Sequence, residues 1–167
     1  MTPAAALLGD AFHRVDDSVQ SVLDGLTSED LGRRITPDAN SIGWLVWHLL
    51  RVQDELVAGA GGTEPVWIAD GWHERLDLPF EPRSTGYGHS SADVAAVRTS
   101  PELLTGYGRA VAAVTSAYLA TLADADLDRV VDESYDPPVT LGVRLVSVVE
   151  DVLKHVGQAE YLAGLPD

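Results

Sequence analysis

The chain has no cysteine. It therefore forms no disulfide and has no thiolate metal ligand or thiol nucleophile of its own. Any metal must be held by His, Asp or Glu, and any thiol chemistry needs a thiol from outside. Basic charge is also scarce: Lys and Arg number 11 against 26 Asp and Glu, giving a formal net charge of -15. Binding to nucleic acid regardless of sequence requires clustered Lys and Arg, so that class is disfavoured, as is docking to anionic lipid. No apolar run approaches the roughly 18 residues of a spanning helix, and the N-terminus lacks a basic start followed by an apolar stretch. The expectation is a soluble cytoplasmic protein. Lys154 is the sole lysine, and Ala, Val and Gly are abundant. That usage suggests a GC-rich bacterial genome.

What is present is 167 residues with 46% hydrophobic content. This suits one domain, residues 1–167, with a core of ordinary size. Apolar periodicity marks four amphipathic helices. The first is expected over Thr2–Leu26, with Leu8, Phe12, Val15, Val19, Val22 and Leu26 as its stripe. The second, SIGWLVWHLLRVQDELVAGAGG, opens on an Asn40-Ser41 cap and ends in glycines. Its expected stripe is Trp44 or Leu45, then Leu49, Val52 and Leu56, with His48 on the same side. The third runs from Ser100-Pro101 to about Leu122, with Leu103, Tyr107, Ala110 or Val111, Val114, Tyr118 and Leu122 facing inward. The fourth spans Leu141–Leu165, with Leu141, Leu145, Val148, Val152, Val156, Ala159 and Leu162 as its stripe. The fold class is thus all-α, a four-helix bundle with a long irregular connection between helices two and three. In that connection, residues 68–76 are expected to form a short helix, and Ser90–Asp93 a capping box. Val130-Val131 and Val139-Thr140 are a candidate strand pair.

Asp151 and His155 break the apolar rule of the fourth stripe. Four residues apart, they lie one turn above each other on the side the helix buries. A buried carboxylate needs a partner, and a metal ion shared with a neutral imidazole is one. With His48, they form a candidate three-ligand site of the kind bundles build from facing helices. Two plainer arrangements also fit: Asp151 paired with Arg144 two turns earlier or with His155 itself, and His48 as an ordinary core histidine. His13 reads as a surface residue, and His73 and His89 fall in the irregular connection.

Three segments carry a resemblance: NSIGWLVWHLLRVQDE from Asn40 to Glu55, TGYGHSSADVAAVR from Thr85 to Arg98, and DVLKHVGQAEYLAGL from Asp151 to Leu165. The pattern resembles the DinB/YfiT-like superfamily of metalloenzymes, nearest to the branch of mycothiol-dependent maleylpyruvate isomerase and to DinB-like proteins. The resemblance implies a bundle holding a divalent metal, most often zinc or nickel, with His48 and His155 as ligands. The third position usually carries His, or Glu in the isomerase branch; here it is Asp151, which reaches less far. The resemblance further implies a low-molecular-weight thiol such as mycothiol as co-substrate, an electrophilic partner substrate, S-transfer or isomerisation chemistry, and a possible homodimer. Arg144, His89, Trp44 and Tyr87 are the candidate substrate-binding residues. Two competing readings stand beside this one. The first is a non-catalytic bundle that binds a small molecule or partner; the second is a metal-dependent hydrolase with His89 or Glu55 as base.

Overall fold

The computed structural model describes residues 2–166; the two end residues of the expected domain lie outside them. The long helices are α1 (Pro3–Leu23), α2 (Ile42–Gly61), α6 (Pro101–Thr121) and α7 (Leu141–Ala163). Each opens on a hydroxyl cap. Thr2, Ser41, Ser100 and Thr140 accept hydrogen bonds from the amides of Ala5, Trp44, Leu103 and Val143, which would otherwise lack a partner. The first helix stops at Leu23, three residues short of the expected end. Asp24 turns extended and Gly25 takes a left-handed φ of 75°.

The long connection contains three short helices, α3 (Val66–Ala69), α4 (Trp72–Leu76) and α5 (Ser91–Ala96). The single short helix expected over residues 68–76 is two, broken by the left-handed Gly71. The Ser90–Asp93 capping box is present. Strand β1 (Val130–Asp132) pairs antiparallel with β2 (Val139–Thr140), Val130 opposite Thr140. The four-helix bundle is thus the architecture, with a small hairpin ahead of α7.

Helix α2 packs against α7 and α6, and α1 packs against the same two, so α1 and α2 sit on opposite corners. All seven residues of the expected α7 stripe are buried. On α6 the expected Tyr107, Val111 and Leu122 are buried, and the rest of the buried face is shifted by one residue. Leu104, Tyr107, Val111, Thr115 and Leu119 point inward, while Leu103 and Tyr118 are half-buried and Val114 is exposed. The reason is that α6 must serve α1 and α2 together, so its inward face is centred between two seams. Helix α2 departs furthest from its single expected stripe. Every residue from Ile42 to Arg51 is buried, as are Gln53 and Asp54, while Val52 and Leu56 are half-buried. The long connection covers the side of α2 that the other helices leave open.

This burial sets an energetic contrast on α7. Leu145→Ala, in the core, is expected to lower unfolding free energy by about 2–5 kcal/mol. Val146→Ala, on the 60% exposed neighbour, should stay within about 0.5 kcal/mol. Urea denaturation of both variants measures the difference, and equal losses would contradict the assigned face.

Candidate metal centre

Arg51 and Asp54 are the buried charges of α2, both with side chains fully removed from solvent and 3.6 Å apart. Isolated charges at that depth would be prohibitive, so each must be bonded. Asp54 accepts from the backbone amides of Val66 at 3.0 Å and Trp67 at 2.9 Å, and from the Tyr107 hydroxyl at 2.8 Å. Burial pushes the Asp54 carboxyl above its ordinary range, while these donors and Arg51 pull it down. Burial, with the Asp54 charge beside it, holds the Tyr107 phenol protonated. Arg51 donates to Glu55 at 3.1 Å and to the Ser84 carbonyl at 3.2 Å. The indole of Trp67 donates to the Pro82 carbonyl at 2.8 Å. Two buried charges thus fasten both ends of the segment from Val66 to Ser84 onto α2.

The next residue delivers that constraint to His48. The Thr85 carbonyl lies 2.5 Å from His48 Nδ1. A carbonyl only accepts, so Nδ1 carries the hydrogen and the Nε2 lone pair of the neutral ring is free. Trp44 stacks on the same imidazole, with ring centroids 4.6 Å apart and planes 13° from parallel. Burial lowers the pKa of His48 below 6.5, although the Thr85 bond opposes the shift. Gly86 lets the loop come this close. Its φ is 95°, and a Cβ there would stand 2.9 Å from His48 Nδ1 and 3.0 Å from the Trp47 ring.

On α7, His155 Nδ1 donates to the Asp151 backbone carbonyl at 2.8 Å, which again leaves Nε2 free. The two imidazoles meet across the α2–α7 seam with centroids 4.6 Å apart and planes at 74°. Asp151 completes the group. One ligand atom from each of His48, Asp151 and His155 lies within 4.8 Å of the others. Asp151 Oδ2 is buried and accepts no hydrogen bond among the described residues. His155 Nδ1 is 3.4 Å from it, but its hydrogen is spent on the carbonyl. Three acceptors with no hydrogen among them suit a cation, and the orphaned carboxylate oxygen is what such an ion would satisfy. Three protein ligands would leave coordination positions open, as at catalytic rather than structural zinc. The donor set therefore fits a divalent metal.

The other expected site residues are placed as follows. Trp44 packs directly on His48 and donates its indole hydrogen to His89 Nδ1 at 3.2 Å. His89 Nδ1 is therefore the acceptor nitrogen, and Nε2–H faces the Ser84 hydroxyl at 3.0 Å. With both nitrogens engaged, His89 is not a free base. Tyr87 belongs to the covering loop, but its side chain is 94% exposed. Arg144 is bound to Asp132 at 2.6 Å, so the pairing of Asp151 with Arg144 does not occur. Glu55 is bound by Arg51 and Arg83. Glu150 pairs with Lys154. His13 is exposed beside Asp17, and His73 meets the Trp67 carbonyl. Sequence reasoning missed Arg51, Asp54, Ser84 and Thr85. The one available signal was the mostly polar run over residues 51–55 inside an otherwise largely apolar helix, with Arg51 and Asp54 three apart.

The fold and the cluster together make this a four-helix bundle of the DinB-like fold with a His/His/Asp group at its α2–α7 seam. One solved structure similar to it is a conserved protein from Enterococcus faecalis, at 28% identity. That likeness covers 98% of this chain and 96% of that one, with a TM-score of 0.90. Another is a DinB-like protein from Bacillus cereus ATCC 10987, at 22% identity over 93% of this chain and 87% of that one, with a TM-score of 0.65; it bears on the fold alone. None of the curated proteins matches the chain. The mycothiol-S-transferase family model matches residues 7–167, and the chain belongs to that family.

Two outcomes follow from the support around His48. Gly86→Ala is expected to weaken zinc binding about 10- to 100-fold, as loss of a group that orients a ligand does. Competition with a chromophoric chelator measures this, and unchanged affinity would remove the loop from the site. The second outcome concerns pH. Because His48 has a lowered pKa, the unfolded chain takes up more protons than the folded one as pH falls through 6.5. The stability due to neutral His48 is intact above that value and lost below it. In metal-free protein, the stability gap between wild type and His48→Gln should therefore narrow from pH 7 to pH 5 in denaturant titrations. A gap that widens would show that the imidazole is not held neutral.

Proposed function

We propose that this protein transfers the sulfur of mycothiol to an electrophilic carbon at a divalent-metal site formed by His48, Asp151 and His155. The observation that carries the reading is the buried, unbonded Oδ2 of Asp151, on a carboxylate grouped with two imidazoles whose Nδ1 atoms are already committed. Membership in the mycothiol-S-transferase family supports it and favours S-transfer over isomerisation. The absence of cysteine agrees, since the nucleophilic sulfur must then come with a substrate.

A zinc- or nickel-like ion held by these three side chains would favour the ionised form of a thiol near neutral pH. The protein's own part is orientation and shielding. Thr85 fixes the His48 ring in one tautomer, Trp44 covers its face, and the Asp151 carbonyl fixes His155. The depth of His48 and the partial exposure of Asp151 and His155 leave the group open at the α7 edge. There the thiolate sulfur forms a bond to carbon as the leaving group departs with its electron pair and the thiol proton passes to solvent. The cytoplasm, where such thiols stay reduced, is the compartment this chemistry requires. A bundle that had lost its metal would be expected to give Asp151 another partner. The engagement of Arg144 by Asp132 weighs against that reading.

The test is metal content and conjugate formation measured together. Wild type purified without chelator or affinity tag is expected to hold about one equivalent of divalent metal. His48→Ala should abolish it, and Asp151→Ala should weaken binding at least about 10-fold. Mass spectrometry should detect a mycothiol conjugate of a simple alkylating agent forming faster than the enzyme-free reaction with wild type and only at the enzyme-free rate with His48→Ala. Failure to take up zinc or nickel would overturn the metal reading. Uptake without conjugate formation above the enzyme-free rate would overturn the transfer.

A further inference from the structure

A cleft lined by residues of α2, α7 and the segment before α2 contains none of the three candidate ligands in its walls. Its volume is about 420 Å³, and its walls include Ile35, Leu45, Lys154, Gln158, Tyr161 and Leu162. Helical spacing ties these walls to the metal centre. Leu45 lies three residues before His48 on α2, while Gln158 and Leu162 lie three and seven residues after His155 on α7. All three are therefore on the ligand-bearing faces, Leu45 and Gln158 about 5 Å further along the bundle, one helical turn, and Leu162 about 10 Å, two turns. The volume falls within the ordinary range for a small-molecule site.

The lining indicates what fits there. Ile35 and Tyr161 are 58% and 63% exposed. A single exposed apolar side chain needs no explanation. Here two of them border one concavity, with Leu45 and Leu162 buried behind them. Lys154 is the sole charged residue of the lining, and its ammonium is committed to Glu150. The remaining polar side-chain groups are neutral: the amides of Asn40 and Gln158 and the hydroxyl of Tyr161. A site of this composition rewards hydrocarbon and offers no unpaired charge to an ionised group.

Resting on the transfer reading above, we infer that this cleft holds the apolar body of the electrophile, a neutral alkyl- or aryl-bearing compound. Its reactive carbon then points back along the seam toward His48 and Asp151. The bond that forms joins the mycothiol sulfur to that carbon. In a benzylic bromide the bond that breaks releases bromide with the electron pair, and the thiol proton goes to water.

The experiment compares benzyl bromide with 4-butylbenzyl bromide as acceptors, in wild type and in the double variant Ile35→Ser/Tyr161→Ser. Both changed side chains are largely in water, so the fold and the metal content should be unaltered. Wild type is expected to prefer the butyl compound at least about tenfold in kcat/KM, and the variant to bring the ratio near one. Binding of unreactive 4-butylbenzyl alcohol, followed by calorimetry, should weaken at least about tenfold in the variant. An undiminished preference, or equal alcohol binding by both proteins, would overturn the cleft as the acceptor site. Alcohol binding that is lost in the variant, with neither bromide conjugated faster than in the enzyme-free reaction, would leave the apolar cleft standing and overturn the transfer reading instead.

Discussion

The buried pair of Arg51 and Asp54 is the constraint on which the rest depends. Two opposite charges with no solvent access are costly unless each is fully bonded. Helix α2 alone does not supply enough partners, so the pair draws them from elsewhere. Asp54 takes the amides that open α3 and the hydroxyl of Tyr107 on α6; Arg51 takes the Ser84 carbonyl. A connection of irregular composition thereby becomes a fixed wall over α2. Its last fixed residues present the Thr85 carbonyl to His48 and bring Gly86 against the ring. A structural ion pair on one turn of α2 thus orients a candidate metal ligand on the turn before it.

The two sides of the seam contribute differently. His48 is held from outside its own helix, by a loop carbonyl and the Trp44 ring, and is deeply buried. His155 is held within α7, by the carbonyl one turn earlier, and stays nearer the surface. Both arrangements spend Nδ1 and free Nε2. Asp151 is the member left unsatisfied, and its unbonded oxygen separates this cluster from an ordinary buried histidine pair. Aspartate is shorter than the histidine or glutamate that the family resemblance implies at this position. The 4.8 Å grouping is nonetheless reached, because α2 and α7 are directly packed neighbours.

Much of the architecture was legible from local signals. The cap at Ser41, the α7 stripe and the capping box at Ser90 depend on residues a few positions apart, and they appear where expected. Prediction of the inward faces was less secure where one helix serves two neighbours. Half of the α6 stripe shifted by a residue, and the first half of α2 proved buried nearly all round. Periodicity reports one apolar direction, and a helix lying under both a bundle and a covering loop has more than one.

The sequence alone determined that Asp151 and His155 share a helix face and that His48 sits within an apolar helix, because helical geometry fixes spacing at short range. It also determined that no thiol of the chain's own is available. Only the tertiary structure decided that His48 meets His155, that Arg144 belongs to Asp132, and that Tyr87 faces water while His89 is locked between Trp44 and Ser84. Those outcomes join residues from 5 to more than 100 positions apart, across helix seams or around turns. Which donor reaches which acceptor is settled by how the elements pack, and no local pattern encodes that.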